Sequence, residues 1–138
     1  MVKYVLDACA LIALMNKEEG WRHVAELYKT AVAGEAELIM NKINLFEVYY
    51  GYLKEDGELF AGQRLDEIEK SIVKINDVIS SDIFYHAGKV KSSYRRISVA
   101  DSFAVAQAVV SNAVLVTADH HELDVVDKSG IVNFLWIR

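Results

Sequence analysis

Four acids, Asp7, Glu47, Asp101 and Asp119, are the candidates for chemistry, three of them near the ends of elements and Glu47 within a helical run. Brought together, they would form an all-oxygen pocket of the kind that selects Mg²⁺ or Mn²⁺. Carboxylates a few ångströms apart repel one another and raise some of their own pKa values unless a cation compensates. A cation held there can bind a phosphate oxygen, lower the pKa of water and stabilise charge on a leaving oxygen. Each acid also has a plainer reading. Asp7 separates Val2-Lys3-Tyr4-Val5-Leu6 from a helical run, where a carboxylate caps free backbone N–H groups. Asp119 has Glu122 three residues on, and Asp101 follows Ser98 by three, both spacings of a capping box. Glu47 lies within Phe46-Glu47-Val48-Tyr49-Tyr50, where an acid is at the edge of a buried face or held by a partner.

The elements that must position these acids can be read from periodicity. Val2 to Leu6 is a short β-rich run, and Ala10 to Met15 is helical in composition, giving strand, tight turn, helix. Trp21 to Val32 carries apolar residues at helical spacings, Gly34 is a stop, and Glu37 to Asn41 reads as the next strand. From Asn44 the residues Leu45, Val48, Tyr49, Tyr52 and Leu53 make a helical stripe that ends near Gly57. Phe46, Tyr49, Tyr50 and Tyr52 offer more aromatic surface than one face buries, so the stretch is core or a partner seam. A helix from Gly62 to Val73, a weak strand at Val78-Ile79 and helices from Asp82 to Tyr94 and Val99 to Asn112 follow. Val114 to Thr117 is a buried strand, Asp119 opens a short helix, and Ile131 to Ile137 is a last strand. Strands separated by helical crossovers, with no hairpin signal, imply a mainly parallel sheet. Asp7 and Asp119 then both fall at carboxyl ends of strands, where open parallel sheets bind ligands beside the switch in strand order. Independent caps need not converge; these would.

The 138 residues fit one domain, and 53% apolar with 25% charged residues is the balance of a chain that folds by itself. No apolar run approaches the ~18 residues of a membrane span, and Asp7 interrupts any signal-peptide core, so the cytoplasm is the expected location. One cysteine, Cys9, excludes an internal disulfide and any paired-cysteine zinc ribbon. It reads as a small buried residue rather than a nucleophile, since nearby carboxylates oppose a thiolate. The net charge of −5 argues against holding nucleic acid by broad attraction. Lys89, Lys91, Arg95 and Arg96 form the one dense basic cluster, either a solvated helix end or a local basic path. Dinucleotide binding would want a Gly-x-Gly turn where Asp7-Ala8-Cys9-Ala10 stands. A phospho-acceptor receiver domain would want a second acid at the first strand and a lysine after the fifth, and has neither.

Val5-Leu6-Asp7-Ala8-Cys9-Ala10-Leu11-Ile12, Asn44-Leu45-Phe46-Glu47-Val48, Ser98-Val99-Ala100-Asp101-Ser102-Phe103 and Val116-Thr117-Ala118-Asp119 together resemble the PIN-domain family in order and spacing. The match runs over essentially the whole chain, and at this length it is most similar to VapC-type toxin ribonucleases. The resemblance implies an α/β fold, a three-layer α/β/α arrangement with a five-stranded parallel sheet of order 3-2-1-4-5. It also implies metal-dependent endonucleolytic cleavage of RNA. Asp7, Glu47, Asp101 and Asp119 match the family's acidic positions; the mechanism expected here has Asp7, Asp101 and Asp119 hold Mg²⁺ or Mn²⁺ while Glu47 binds metal through water or orients the attacking water. Asn44 and Thr117 are supporting polar residues by the same resemblance, though a turn-side Asn and a strand-end Thr are equally good structural choices. A homodimer and a small antitoxin protein that masks the acidic pocket are the partners it implies. Cys9 stands where the family often has Asn or Ser. His120 and His121 follow Asp119 in place of the more familiar pattern, and adjacent helical residues point about 100° apart, so at most one would reach a metal. Both are expected at the surface. The rival readings are a nuclease of RNA maturation outside any toxin pair and a non-catalytic interaction module that has kept the fold, the latter opposed by the intact acidic quartet.

Overall fold

The computed structural model describes residues 1–138. Val2–Leu6 forms β1, followed by α1 (Ala8–Asn16), α2 (Trp21–Val32), β2 (Ala36–Asn41), α3 (Lys42–Asp56) and α4 (Glu58–Glu69). The second half runs β3 (Lys74–Asn76), α5 (Ser81–Ser93), α6 (Val99–Ser111), β4 (Val114–Thr117), α7 (His120–Ser129) and β5 (Phe134–Trp136). All five strands are parallel, in the order β3-β2-β1-β4-β5. β1 is central, pairing Val2 with Ala36 on one side and Leu6 with Val116 on the other. The switch in strand order therefore lies between β1 and β4.

Strand side chains alternate between faces, and the sequence supplies an apolar residue for each. Leu6, Met40 and Val116 face a core shared with α1 to α4, where Leu11, Val24, Leu45 and Val48 are almost fully buried. Val5, Ile39 and Leu115 face the opposite core with Val105, Ala108, Leu123 and Val126 of α6 and α7. Helices cover both faces, so the three strands with such doubly buried runs read as continuous apolar segments. In α6, Ala104, Ala106 and Ala108 are buried, and their small side chains let the helix approach its neighbours closely.

Three elements differ clearly from the expected bounds, of which the last strand is the shorter run Phe134–Trp136 rather than Ile131 to Ile137. The third strand is Lys74–Asn76, and Val78 and Ile79 are exposed beyond it. With a single paired edge, against β2, three residues of mixed polarity suffice, and no apolar run marks them. The fourth helix is Glu58–Glu69 rather than Gly62 to Val73: Gly57 ends α3 and at once begins α4. At the turn before α2, Gly20 has φ 91°, and a Cβ there would stand 2.2 Å from the carbonyl oxygen of Ile137. Only glycine allows that contact, which docks the α1–α2 turn on the far end of β5. No helix is long and apolar enough to cross a membrane.

Candidate functional site

Asp7 ends β1 in extended backbone and caps α1, its Oδ1 accepting from the Ala10 N–H at 2.8 Å. Its Oδ2 accepts from the Thr117 hydroxyl at the end of β4, and Thr117 Oγ1 in turn accepts from the Asp119 N–H at 3.0 Å. Thr117 thus ties the ends of β1 and β4 together and is fully buried. Asp119 caps α7 by accepting from the Glu122 N–H at 3.2 Å. Both plain readings are therefore correct for Asp7 and Asp119, and both caps still converge on one crevice.

At α6 the capping is divided between two elements. Ser98 Oγ accepts from the Asp101 N–H at 3.1 Å. The return bond to the Ser98 N–H comes from Glu122 of α7, not from Asp101. Glu122 was expected to close its own helix, and instead it closes α6. Asp101 is released from capping, and its side chain joins Asp119 and Glu122, one oxygen of each lying within 4.8 Å of the others. Glu122 is the residue that sequence reasoning assigned only to a cap; its partner lies 24 residues away, so no local spacing could reveal it.

Glu47 projects from α3, half-buried, close enough for its charge to act on Asp7 and to feel Glu122 and Asp119. Asn44, one turn earlier on α3, is fully buried within the first turn of that helix rather than on a turn before it. Its Nδ2 donates to the Ala100 carbonyl at 3.0 Å, which fixes α3 against the start of α6. Its Oδ1 is the one buried side-chain polar atom without a partner.

Electrostatics follow from this crowding. Asp7, 1% exposed, is pushed up to about 7 mainly by desolvation, against the opposing bonds from Thr117 and Ala10, with Asp119 and Glu47 adding repulsion. Asp101 is pushed up to about 10, by burial first, then by Asp7, Asp119 and Glu122. Glu47 is raised by burial and by Glu122 and Asp119. None of these five acids has a Lys, Arg or His within ion-pair distance. A set of hard oxygen donors with excess negative charge and no protein cation fits Mg²⁺ or Mn²⁺. Asp101, Asp119 and Glu122 form the tight group, while each Asp7 oxygen already has one hydrogen bond and keeps a second lone pair.

The remaining candidates lie outside the pocket's chemistry. Cys9 is pushed up to about 11 by burial and by Asp7, which keeps it a thiol. His120 is exposed, stacked on Trp136 with ring centroids 3.8 Å apart. Its two ring nitrogens are engaged by Asp124 at 2.7 Å and the Arg138 carbonyl at 2.8 Å, so neither is free to bind metal. His121 is also exposed.

The VapBC-1 structure from nontypeable Haemophilus influenzae superposes with a TM-score of 0.72 at 20% identity, covering 99% of this chain and 98% of that one. DNA-bound VapBC from Salmonella typhimurium gives 0.72 at 18% identity over 100% of both chains. FitAcB from Neisseria gonorrhoeae gives 0.67 at 16% identity over 97% of each. These likenesses concern the fold. No curated protein matches the sequence. The family model for the PIN domain matches residues 4–129, from within β1 to the end of α7, and so spans every acid described above. A sheet of order 3-2-1-4-5 with carboxylates at its switch point, and a family match over nearly its whole length, make this chain a member of the PIN domain family.

Proposed function

We propose that the protein is a single-domain, divalent-metal-dependent endoribonuclease of the cytoplasm, the toxin of a toxin–antitoxin pair. The observation that carries the reading is the uncompensated acidic group at the β1–β4 switch point, with one oxygen each of Asp101, Asp119 and Glu122 within 4.8 Å of the others. Asp7, Asp101 and Asp119 would hold Mg²⁺ or Mn²⁺, with Glu122 completing the donor set. When bound, the ion supplies a lowered pKa for water and charge compensation at the leaving oxygen of the phosphodiester.

The chain's own residues do the rest. Glu47, half-buried and with its pKa raised, is suited to accept the proton of an attacking water and orient that water toward phosphorus. Water attack breaks the P–O bond directly, and no covalent bond to the protein forms. Thr117 holds Asp7 in one orientation, and Asn44 holds α3, and with it Glu47, against the start of α6. Purified protein should cleave RNA with Mg²⁺ or Mn²⁺, stop in chelator, and lose cleavage on Asp7→Asn; activity unchanged in that variant sinks the assignment.

Partners follow from the same reading. Phe46 and Tyr50 of α3 are 61% and 45% exposed with their rings 5.4 Å apart, an apolar ledge beside Glu47 that supports a homodimer seam or an antitoxin contact. A similar fold from Klebsiella pneumoniae belongs to a toxin–antitoxin complex, which favours a small protein partner for this chain as well. Co-expression with the adjacent reading frame should yield a stable complex in which cleavage is suppressed; a monomer that captures no such product argues against the toxin assignment.

A further inference from the structure

The basic cluster lies on a face of the molecule that the acidic pocket does not use. Val99, Ser102 and Phe103 share one side of α6 and line a groove of about 490 Å³ against α5. Asp101, two residues after Val99, is turned about 200° from it on the same helix. On α5 the lining is the stripe Phe84, Gly88, Lys91 and Ser92, spaced by three and four residues, with Tyr85 and Lys89 beside it. Phe84, Tyr85 and Val99 are 62%, 64% and 58% exposed, an apolar surface left uncovered. No Asp or Glu lines the groove, and Lys89, Lys91, Arg95 and Arg96 form no ion pair. Arg95 and Arg96 lie on the exposed loop that joins the end of α5 to the start of α6. In a chain of net charge −5, four unpaired cations around an apolar trough reverse the local sign. Gly88 is a second, separate sign. It is exposed in the middle of α5, where glycine weakens a helix relative to alanine, and a Cβ there would meet nothing within 4 Å. Nothing inside the fold requires glycine at that point, whereas a chain packed into the groove from outside gains close approach to the bare backbone.

We propose that this groove docks an amphipathic helix of a protein partner, its apolar stripe seated between α5 and α6 and its flanks lined with aspartate or glutamate. The stripe covers Phe84, Val99 and Phe103, and the acids pair with Lys89, Lys91, Arg95 and Arg96. Seated on the far side of α6 from Asp101, such a helix leaves the acidic pocket uncovered, so it is a docking contact and not a plug. The docking requires no nuclease activity and stands apart from the reading of the acidic pocket. Two other occupants fit less well. A nucleic-acid strand would lay phosphates over an apolar floor, and the rings of Phe84 and Tyr85, at 79° to each other, offer no parallel platform for successive bases. A second copy meeting the groove isologously would set Lys89 and Lys91 against their own equivalents.

The test uses two fluorescein-labelled peptides of about 14 residues, roughly four helical turns. One carries leucines at i, i+3, i+4 and i+7 with glutamates on both flanks, and the other has lysines in place of the glutamates. Anisotropy should show the glutamate peptide binding the full chain with a dissociation constant below roughly 100 µM, and the lysine peptide roughly tenfold more weakly, the difference shrinking in salt. Lys89→Glu with Lys91→Glu should weaken the glutamate peptide roughly tenfold and strengthen the lysine peptide. Gly88→Leu, which fills the notch, should weaken the glutamate peptide by a similar factor. Both changes are at exposed helical positions, and leucine is the better helix former, so melting by circular dichroism should show the fold no less stable. No binding of the glutamate peptide, equal binding of the two peptides, or an affinity that neither variant alters overturns the proposal. So does an oligoadenylate of about 12 nucleotides that loses affinity in both variants while the glutamate peptide keeps its own, which assigns the groove to nucleic acid. A fall from dimer to monomer in Gly88→Leu by light scattering, with peptide affinity intact, assigns it to a second copy and overturns the proposal equally.

Discussion

At Asp101 a proton and a cation compete for one carboxylate. Burial and three neighbouring acids lift its pKa to about 10, and that of Asp7 to about 7, from an ordinary value of 3.8. Between about pH 4 and 7 the folded chain therefore keeps a proton on Asp7 that the unfolded chain has lost, and for Asp101 that window extends to about pH 10. Where the folded state binds more protons, stability falls as pH rises, so in chelator the melting temperature should decline from pH 5 to pH 9, and Mg²⁺ or Mn²⁺ should restore it most at the alkaline end. Calorimetry in chelator and in metal checks both halves. An Asn at position 101 mimics the protonated acid. Asp101→Asn should raise the melting temperature in chelator, by roughly 3–5 °C for each kcal/mol of relieved repulsion, while abolishing metal-dependent stabilisation and cleavage. Glu122→Gln separates two roles in another way: the amide oxygen still accepts from the Ser98 N–H, but a charge is lost from the donor set. It should leave apo stability equal or higher and weaken metal binding, which titration calorimetry would read.

The elements that carry the site were readable to different degrees. β1, β4 and α6 announce themselves because a doubly buried strand is a plain apolar run and each is followed or opened by an acid, as Leu6–Asp7 and Ser98 to Asp101 show. β3 does not, since Lys74-Ile75-Asn76 borders one strand only and buries little. The start of α4 was hidden because Gly57 serves two helices at once. The acidic quartet was legible from type and position, whereas Glu122 was not, because its bond to α6 is a fact of packing rather than spacing. That bond makes α6 and α7 share one cap. Ser98→Ala removes the Oγ acceptor for the Asp101 N–H and should cost about 1 kcal/mol in urea denaturation. Because it loosens the turn that presents Asp101, metal affinity should fall with it, although Ser98 contributes no donor to the pocket.

On the scale of the whole molecule, the sheet's order brings distant parts of the chain to one end. Gly20 seats the α1–α2 turn on Ile137, and the Arg138 guanidinium donates to the Glu19 carbonyl at 2.7 Å across the same junction. Gly20→Ala forces a Cβ into a carbonyl oxygen at a positive φ and should destabilise the fold by on the order of 2–4 kcal/mol, measurable by chemical denaturation. The acidic pocket spans a separation almost as long, since Asp7 and Thr117, bonded in the folded protein, lie 110 positions apart. During synthesis Asp7 is made early, and although Ala10 can donate to one of its oxygens at once, the other must wait for β4 to arrive and pair with β1 before Thr117 can reach it. Contacts of such long range form late. The acidic pocket is therefore incomplete until β4 has been made, and on the ribonuclease reading proposed above the topology itself delays the hazard to the machinery that builds the chain.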